Sequence, residues 1–466
     1  MPEFSAQFLA QATGGQWVAL PVSSLFGFHF DTRKLRKGDV FVALKTEQRD
    51  GHDFLAAALA AGASAALVAR PDASIPLPQL VVGDPLTAFQ AIAREHRRAF
   101  RGKVVGISGS AGKTSTKDLL ALLLGGASCG VVATEGNLNN HIGVPLTLTR
   151  IDPVEHRFAV IEAGISVVGE MQPLAEMIEP DVAIITLIAA AHTEELGGID
   201  GVAREKALLP AATRTSGVAI FAQPTAEFGA FRELGVRKMV VERAEVVRPA
   251  EPPKDTVYFA VSHRGAETAV SLAYGVPPPL SFTFRRVTDG QAQNAALAIC
   301  AALWLGVSRD LIQQRLASWK PGKLRGEIRE ENGRLLYLDC YNANPASMDD
   351  ALRTFEAVAP AREPRLYLLG CMAELGPEAP AYHRALGRSL NLRENDFVMI
   401  IGDNAHDVFA GVIERGEFTR QIQIVATLEP MSSTFAEWHG AVFLKGSRRY
   451  QLEKVLEAQT SLSLPC

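Results

Sequence analysis

The stretch Gly109-Ser110-Ala111-Gly112-Lys113-Thr114-Ser115 stands between an apolar, β-branched run, VVGIS, and a helical-looking run, TKDLLALLL. Glycines let backbone amides approach a polyphosphate, and a helix start aims aligned N–H dipoles at it. The Lys113 ammonium then meets β/γ charge, and the Thr114 hydroxyl suits Mg2+. The pattern predicts a nucleoside triphosphate site. Its spacing is a variant, because the usual G-x-x-x-x-G-K-[ST] would put glycine at Ile107, whereas the glycines here fall at 106 and 109. A glycine-rich turn without a ligand is the alternative, and the strand-loop-helix context argues against it.

In open α/β sheets ligands collect at the carboxyl ends of strands, so polar residues that end apolar runs come next. Glu162 ends FAVIEAG and His192 follows IITLIAAAH, and neighbouring strands would bring both to the edge from which the phosphate loop opens. A carboxylate is an ordinary Mg2+ ligand and imidazole a less usual one. His192 therefore reads either as a ligand to a second, substrate-bridged ion or as a hydrogen-bonded structural histidine. Lys206, in GVAREKALL, reads on its own as a surface lysine. Asn137, Asn139 and Asn140 in TEGNLNNHIGVPLTL are either turn residues or amides that grip an acyl or sugar group. Further on, LDCYNANPASM packs Asp339, Tyr341, Asn342 and Asn344 into one loop, with CMAELG at 371–376 and LKGS at 444–447 in equivalent strand-end positions. Three polar loops at one sheet edge predict a second ligand surface facing the nucleotide.

The chain that must position these groups has 466 residues, and at about 150 residues per domain that predicts three domains. It is 47% apolar and 21% charged with a net charge of −4, which gives no electrostatic ground for a nucleic acid or anionic membrane partner. Five cysteines, at 129, 300, 340, 371 and 466, form no C-x-x-C pair, so neither a disulfide framework nor a zinc site is expected. The N-terminal MPEFSAQFLAQATGG has no basic leader, and no stretch approaches the roughly 18 apolar residues of a membrane span. The expectation is a soluble cytoplasmic protein.

Residues 1–83 read as a small α/β unit, with DVFVAL, AALVA and LPQLVV as strands around a helical DFLAAALAAGA. The helical spacing of PLTAFQAIAREHRRAF opens a central unit, 84–317, where HRFAVIEAG, DVAIITLIAA and SGVAIFA alternate with helical segments. That alternation predicts a mostly parallel, covered sheet. From VVERAEVV to SFTFRRV, proline clusters and short runs predict an antiparallel excursion, with AEPPKD as a turn. Beyond the PGK turn at 321–323, RLLYLD, RLYLLG, DFVMIIG and AVFLKG predict a third, Rossmann-like α/β unit over 318–466.

Taken together and in order, GISGSAGKTSTK, EGNLNNHIGVPLTL, VIEAGISVVGEM, AHTEELGG with Glu205 and Lys206, YNANPASM, MAELG and KGS resemble the Mur ligases. The segment at 30–63 is similar to the UDP-sugar domain of members that add the third residue or the terminal dipeptide, and YNANP with MAELG resembles the dipeptide-adding member. The resemblance spans nearly the whole chain. It implies an N-terminal UDP-binding domain, a central ATPase domain and a C-terminal domain that delivers the incoming amine. ATP, two Mg2+ ions, UDP-N-acetylmuramoyl-tripeptide and D-alanyl-D-alanine are the implied ligands, and a monomer the implied state. By the same resemblance, Lys113 and Thr114 handle phosphate and Mg2+, Glu162 and His192 hold metal, and Lys206 is the lysine carbamylated to bind the second ion. Thr32, Arg33 and Asn137 to Asn140 would face the tripeptide nucleotide. Tyr341, Asn342 and Asn344 would approach the dipeptide, while Asn294, Lys323 and Asp339 would contact ATP.

The chain departs from this pattern at four places: Leu187 for an asparagine, Gly290 for a histidine, Lys323 for an arginine, and Leu338 for the first of two aspartates. A lysine cannot reproduce the guanidinium fork, so the expected consequence falls on nucleotide affinity. Three rival readings are a third-residue ligase, whose acidic-proline-arginine motif is not visible, a folylpolyglutamate-synthase-like enzyme, which leaves segment 30–63 unexplained, and a non-catalytic nucleotide sensor, which does not need the retained Lys113 and Thr114.

Overall fold

Parallel strands buried on both faces must be apolar throughout, and the runs VFV and AALV of the N-terminal unit meet that demand. They form β3 (Val40–Val42) and β4 (Ala65–Val68) of a five-stranded sheet that also holds β1 (Gln16–Trp17), β2 (Phe28–His29) and β5 (Gln79–Val81), in the order 1-5-4-3-2. Only β1 runs antiparallel. The computed structural model describes residues 2–247, 255–274, 278–416 and 419–457. Cys466, and the AEPPKD turn apart from Asp255, lie outside the described residues.

The helix Pro85–Ala99 starts with proline at its first position and an Asp84 cap that accepts the Thr87 N–H at 2.7 Å. Its Ala88, Phe89 and Ile92 pack into the N-terminal core, while Ala93 joins the central one. Residues 85–99 are thus shared between two cores, with the Phe28 and Phe89 rings in tilted contact at 5.3 Å.

The central sheet has nine strands: β6 (Lys103–Ser108), β7 (Val131–Ala133), β8 (Phe158–Glu162), β9 (Val182–Ile185), β10 (Val218–Ala222), β11 (Lys238–Arg243), β12 (Thr256–Arg264), β13 (Glu267–Ala273) and β14 (Leu280–Arg285). Their order is 14-13-12-11-10-9-6-8-7. The antiparallel excursion begins later than the proline-rich text suggests, because VVER of β11 pairs parallel to both β10 and β12. Only β12–β13 and β13–β14 are antiparallel. Alternating burial marks a strand with one covered face, but it carries no information about direction. Three helices matter for the cleft: α1 (Lys113–Leu123), α2 (Gly198–Ala211) and α3 (Asp289–Trp304). The buried alanines of α3 (292, 295, 296, 298, 301 and 302) let it lie close against α1 and the sheet.

The third sheet orders β15 (Glu327–Glu331), β16 (Arg334–Asp339), β17 (Arg365–Gly370), β18 (Phe397–Ile401), β19 (Ile422–Val425) and β20 (Ala441–Lys445) as 15-16-20-17-18-19, with β15 alone antiparallel. Helices α4 (Pro345–Val358) and α5 (Ala379–Ser389) follow β16 and β17. Among the described residues no helix is long and apolar enough to cross a membrane.

Candidate functional site

β6 pairs with β8 on one side and β9 on the other, placing Ile107 opposite Glu162 and Ser108 opposite Ile185. The chain runs from β6 out to the edge strand β7, returns through β8, and crosses to β9. The strand order therefore reverses at β6, where an open α/β sheet presents its ligand crevice. The glycine-rich loop leaves from that point. Gly109 and Gly112 both have positive φ (146° and 79°), and a Cβ would sit 2.0 Å from Thr186 Oγ1 at the first and 2.2 Å from Asn294 Nδ2 at the second. The loop is held from beneath: Ser110 N–H donates to Leu187 O at 2.8 Å, and Thr186 Oγ1 donates to Ala111 O at 2.5 Å. Ile107 is fully buried and Gly106 packs against Leu209 and Ile178, so the variant positions serve the core beneath the loop.

A cleft of about 770 Å3 gathers Ser110 to Ser115, Asn137, Asn139, Asn140, Glu162, His192 and Asn294 from the central unit, and Asp339, Tyr341, Asn342 and Asn344 from the third. Gly109 lies behind it and lends its carbonyl to Lys113 Nζ at 2.8 Å. Thr32, Arg33, Lys206 and Lys323 are not among its lining residues. Thr32 opens a short 3-10 turn capped by Asp31, whose carboxylate holds the exposed Arg33 guanidinium at 2.8 Å. Lys323 lines a separate depression with Arg285, Arg286 and Lys320. Close to Lys323 in the chain, Arg325 lines the cleft, its guanidinium 3.7 Å from the Tyr341 ring centroid. Leu324, buried and at φ 60°, turns the chain between the two.

Glu162 is 1% exposed. Its Oε1 accepts from Asn139 Nδ2 at 2.8 Å, whereas its buried Oε2 has no hydrogen-bond partner. A buried carboxylate oxygen without a donor is a rare and costly arrangement, and it suits a hard cation. His192, in the left-handed region at φ 55°, places Nδ1 2.5 Å from Glu374 Oε2 in the CMAELG loop. Burial pulls its pKa down, with Glu374 opposing and Lys113 and Lys206 adding to the fall. Lys206 is 2% exposed and makes no hydrogen bond or ion pair among the described residues, which overturns the surface reading. Burial first, then the Lys113 charge, hold its pKa well below that of an ordinary lysine. Burial also lowers Lys113, against the attraction of Glu162. Among the described residues no group of three or more His, Cys, Asp and Glu forms a metal cage. Thr114 and Glu162 supply oxygen donors of the kind Mg2+ takes alongside water and phosphate oxygens, whereas the His192 imidazole is a less usual ligand that suits a second, substrate-bridged ion.

On the facing side, Asp339 and Lys445 are register partners on β16 and β20 and pair at 2.5 Å. Asn344 caps α4, accepting the Ser347 N–H at 2.9 Å, while its Nδ2 reaches Ser110 O at 3.4 Å. Leu338 is buried in the core of the third unit, and Leu187 and Gly290 line the cleft. Among the lining residues that sequence reasoning left out are Arg325, Lys445, Gln291 and Asp350. Only Lys445 had a signal, since it sits in the LKGS loop.

Three family models match: "Mur ligase family, catalytic domain" over residues 27–108, "Mur ligase middle domain" over 107–242, and "Mur ligase, glutamate ligase domain" over 324–448. The UDP-N-acetylmuramoyl-tripeptide--D-alanyl-D-alanine ligase of Escherichia coli is 34% identical over 433 residues, 92% of each chain. Among solved structures, MurF from Acinetobacter baumannii superposes with a TM-score of 0.85 at 28% identity over 99% of both chains. MurF ligase from Thermotoga maritima in complex with ADP gives 0.78 at 25% identity, over 92% of this chain and 96% of that one.

Proposed function

The chain belongs to the Mur ligase family, and on that footing we propose that it joins D-alanyl-D-alanine to the free carboxylate of UDP-N-acetylmuramoyl-tripeptide at the expense of ATP. It is an ATP-dependent ligase that forms a peptide bond in peptidoglycan precursor synthesis. The observation that carries this reading is the shared cleft, in which a phosphate loop from one unit faces the YNANP loop of another.

In the reaction, the tripeptide carboxylate attacks the γ-phosphorus and ADP leaves. The dipeptide amine then attacks the acyl phosphate carbon, and phosphate departs from the tetrahedral intermediate. The glycine-rich loop amides and Lys113 hold the phosphates, and Asn139 keeps Glu162 oriented through Oε1. The Glu162 Oε2, Thr114 and His192 would hold Mg2+, which when bound supplies positive charge against the transferred phosphoryl group. Lys206, whose pKa burial holds well below that of an ordinary lysine, would add its unprotonated Nζ to carbon dioxide and lose a proton, and the resulting carbamate would supply an oxygen ligand for a second ion. Asn294, Arg325 and Asp339 face the nucleotide, and Tyr341, Asn342 and Asn344 the dipeptide. Thr32 and Arg33, on the first unit, serve the uridine end of the acceptor at a distance from the ATP cleft. Both halves of the cleft come from one chain, so a monomer suffices, and the nucleotide substrates put the reaction in the cytoplasm.

Phosphate release from Mg-ATP and UDP-muramyl tripeptide, with and without D-alanyl-D-alanine, tests this. Dipeptide-dependent release with the UDP-muramyl pentapeptide identified by mass is the expected result. Release driven by a free amino acid on the shorter precursor would replace it with third-residue ligation, and ATP binding without release would replace it with nucleotide sensing.

A further inference from the structure

We propose that Asp350 is a positioning residue that latches the third unit onto the N-terminus of α3 as the cleft closes, and that residue 290 is glycine in order to admit it. This rests on the ligase reading above, in which the phosphate loop of the central unit faces the dipeptide loop of the third, so that the acyl phosphate and the amine meet across the two units.

The first turn of α3 leaves backbone N–H groups that need partners. Thr288 takes one through a capping box: its Oγ1 accepts the Gln291 N–H at 3.0 Å, and Gln291 Oε1 accepts the Thr288 N–H at 3.1 Å. The Gly290 N–H is satisfied from the other unit, donating to the two carboxylate oxygens of Asp350 on α4 at 3.2 and 3.1 Å. A carboxylate at the positive end of a 16-residue helix is favourably placed. The helix's own carboxylate, Asp289, is already matched within the central unit by Arg243 at 3.1 Å and His263 at 3.0 Å. Asp350 meets that helix end through the Gly290 N–H and the Thr288 hydroxyl, with Arg353 favouring its charge and Asp289 opposing it.

Gly290 fits this role by what it lacks. Its φ is not in the left-handed region, so its conformation does not call for glycine, and alanine is the better helix former. A Cβ there would lie 2.6 Å from Asp350 Oδ2. Relieving that overlap means swinging the Asp350 carboxylate to another rotamer or drawing α4 back from α3, and either breaks its contact with the Gly290 N–H. Two neutral contacts share the rim, Gln291 Nε2 to Arg325 O at 2.8 Å and Asn344 Nδ2 to Ser110 O at 3.4 Å. Of these three bridges Asp350 alone brings a charge.

The test uses the full chain with Gly290→Ala, Asp350→Ala, Asp350→Asn and the double Gly290→Ala/Asp350→Ala. Closure is followed by small-angle X-ray scattering with a non-hydrolysable ATP analogue and UDP-muramyl tripeptide, alongside thermal unfolding and steady-state ligation. Gly290→Ala should hold or raise the Tm yet lower the closed fraction and raise KM for D-alanyl-D-alanine about tenfold. Asp350→Ala should do the same to closure and KM, Asp350→Asn should fall between, and the double variant should be no worse than either single one, because both remove one contact. A merely structural role would make Tm and closure fall together. Wild-type closure and KM in folded Gly290→Ala and Asp350→Ala, or additive losses in the double variant, would overturn the latch. Should the wild type fail to ligate while the variants still alter closure, the ligase reading falls and the latch stands.

Discussion

Replacing Lys113 by alanine should separate catalysis from folding. Lys113 opens α1, and the only side-chain hydrogen bond it makes among the described residues is from Nζ to Gly109 O at 2.8 Å. Losing a bond to a neutral carbonyl costs about 1 kcal/mol, and removing the cation relieves its desolvation and its repulsion by Arg325 while forfeiting the attraction of Glu162, so these terms oppose one another. The Tm should therefore stay within the range that about 1 kcal/mol explains. Catalysis should respond differently. Lys113 is the phosphate-loop cation at the switch point of the sheet, and deleting one preorganised charge-stabilising donor costs about 10²- to 10³-fold in kcat, or roughly 3–4 kcal/mol. The loss should lie at or above that range, because Lys113 also lowers the Lys206 pKa, and raising that pKa disfavours the unprotonated amine that adds to carbon dioxide. Phosphate release and pentapeptide formation should be measured beside calorimetric unfolding of the same preparation. Turnover within threefold of wild type would refute the assignment, and so would a Tm collapse that accounts for the lost activity.

Four further outcomes follow from the same contacts. Lys206→Ala should lose activity and recover part of it with a small added carboxylate, with thermal unfolding run alongside to show that the fold is kept; absence of either rescue or initial loss counts against a carbamylated Lys206. Arg325→Lys should raise KM for ATP by removing the planar group 3.7 Å from Tyr341, whereas Lys323→Arg should leave it unchanged, and the reverse pattern would put residue 323 back in the nucleotide site. Asp396→Asn leaves Arg365, whose side chain is 1% exposed, without its carboxylate, and urea unfolding should register about 3–5 kcal/mol; a change below 1 kcal/mol would contradict the pairing. His383 accepts the Met372 N–H at Nε2 (2.8 Å) and burial holds its pKa below the usual 6.5. The unfolded chain therefore binds this proton more tightly, so stability present above pH 6.5 should decline as pH drops below it. His383→Gln should flatten that slope, and parallel profiles would remove His383 as its source.

What was legible in the sequence follows from locality. The phosphate loop needs a strand, two glycines of special geometry and a helix start, all within a few residues, and each left its mark on the text. Glu162 was legible as the polar end of an apolar strand. The direction of β11 was not, because alternation reports which face is covered and the pairing partner is set by a distant part of the chain. Lys206 had a signal that went unread. Buried Val202, Ala203, Ala207 and Pro210 recur at helical spacing around it, so the helix periodicity puts position 206 on the covered face, where a lysine needs a reason.

The departures from the family pattern are harder to read, because each invites a reading as a loss at one position while the structure answers with a residue elsewhere. Lys323 stands where an arginine was expected, yet the left-handed Leu324 sends Arg325 into the cleft and Lys323 out of it. A shift of two residues along the chain leaves a guanidinium in the cleft. Leu338 lies in the third unit's core, where an aspartate would be buried away from the charges of the cleft, and Asp339 alone already occupies Lys445. Gly290 exposes an N–H that Asp350, sixty residues later, accepts. In each case the substituted position and its compensating group lie on different turns or different units, so spacing reveals the gap but not what fills it. A site split between units is therefore better judged by which donors and acceptors are met across the cleft than by which motif letters are retained.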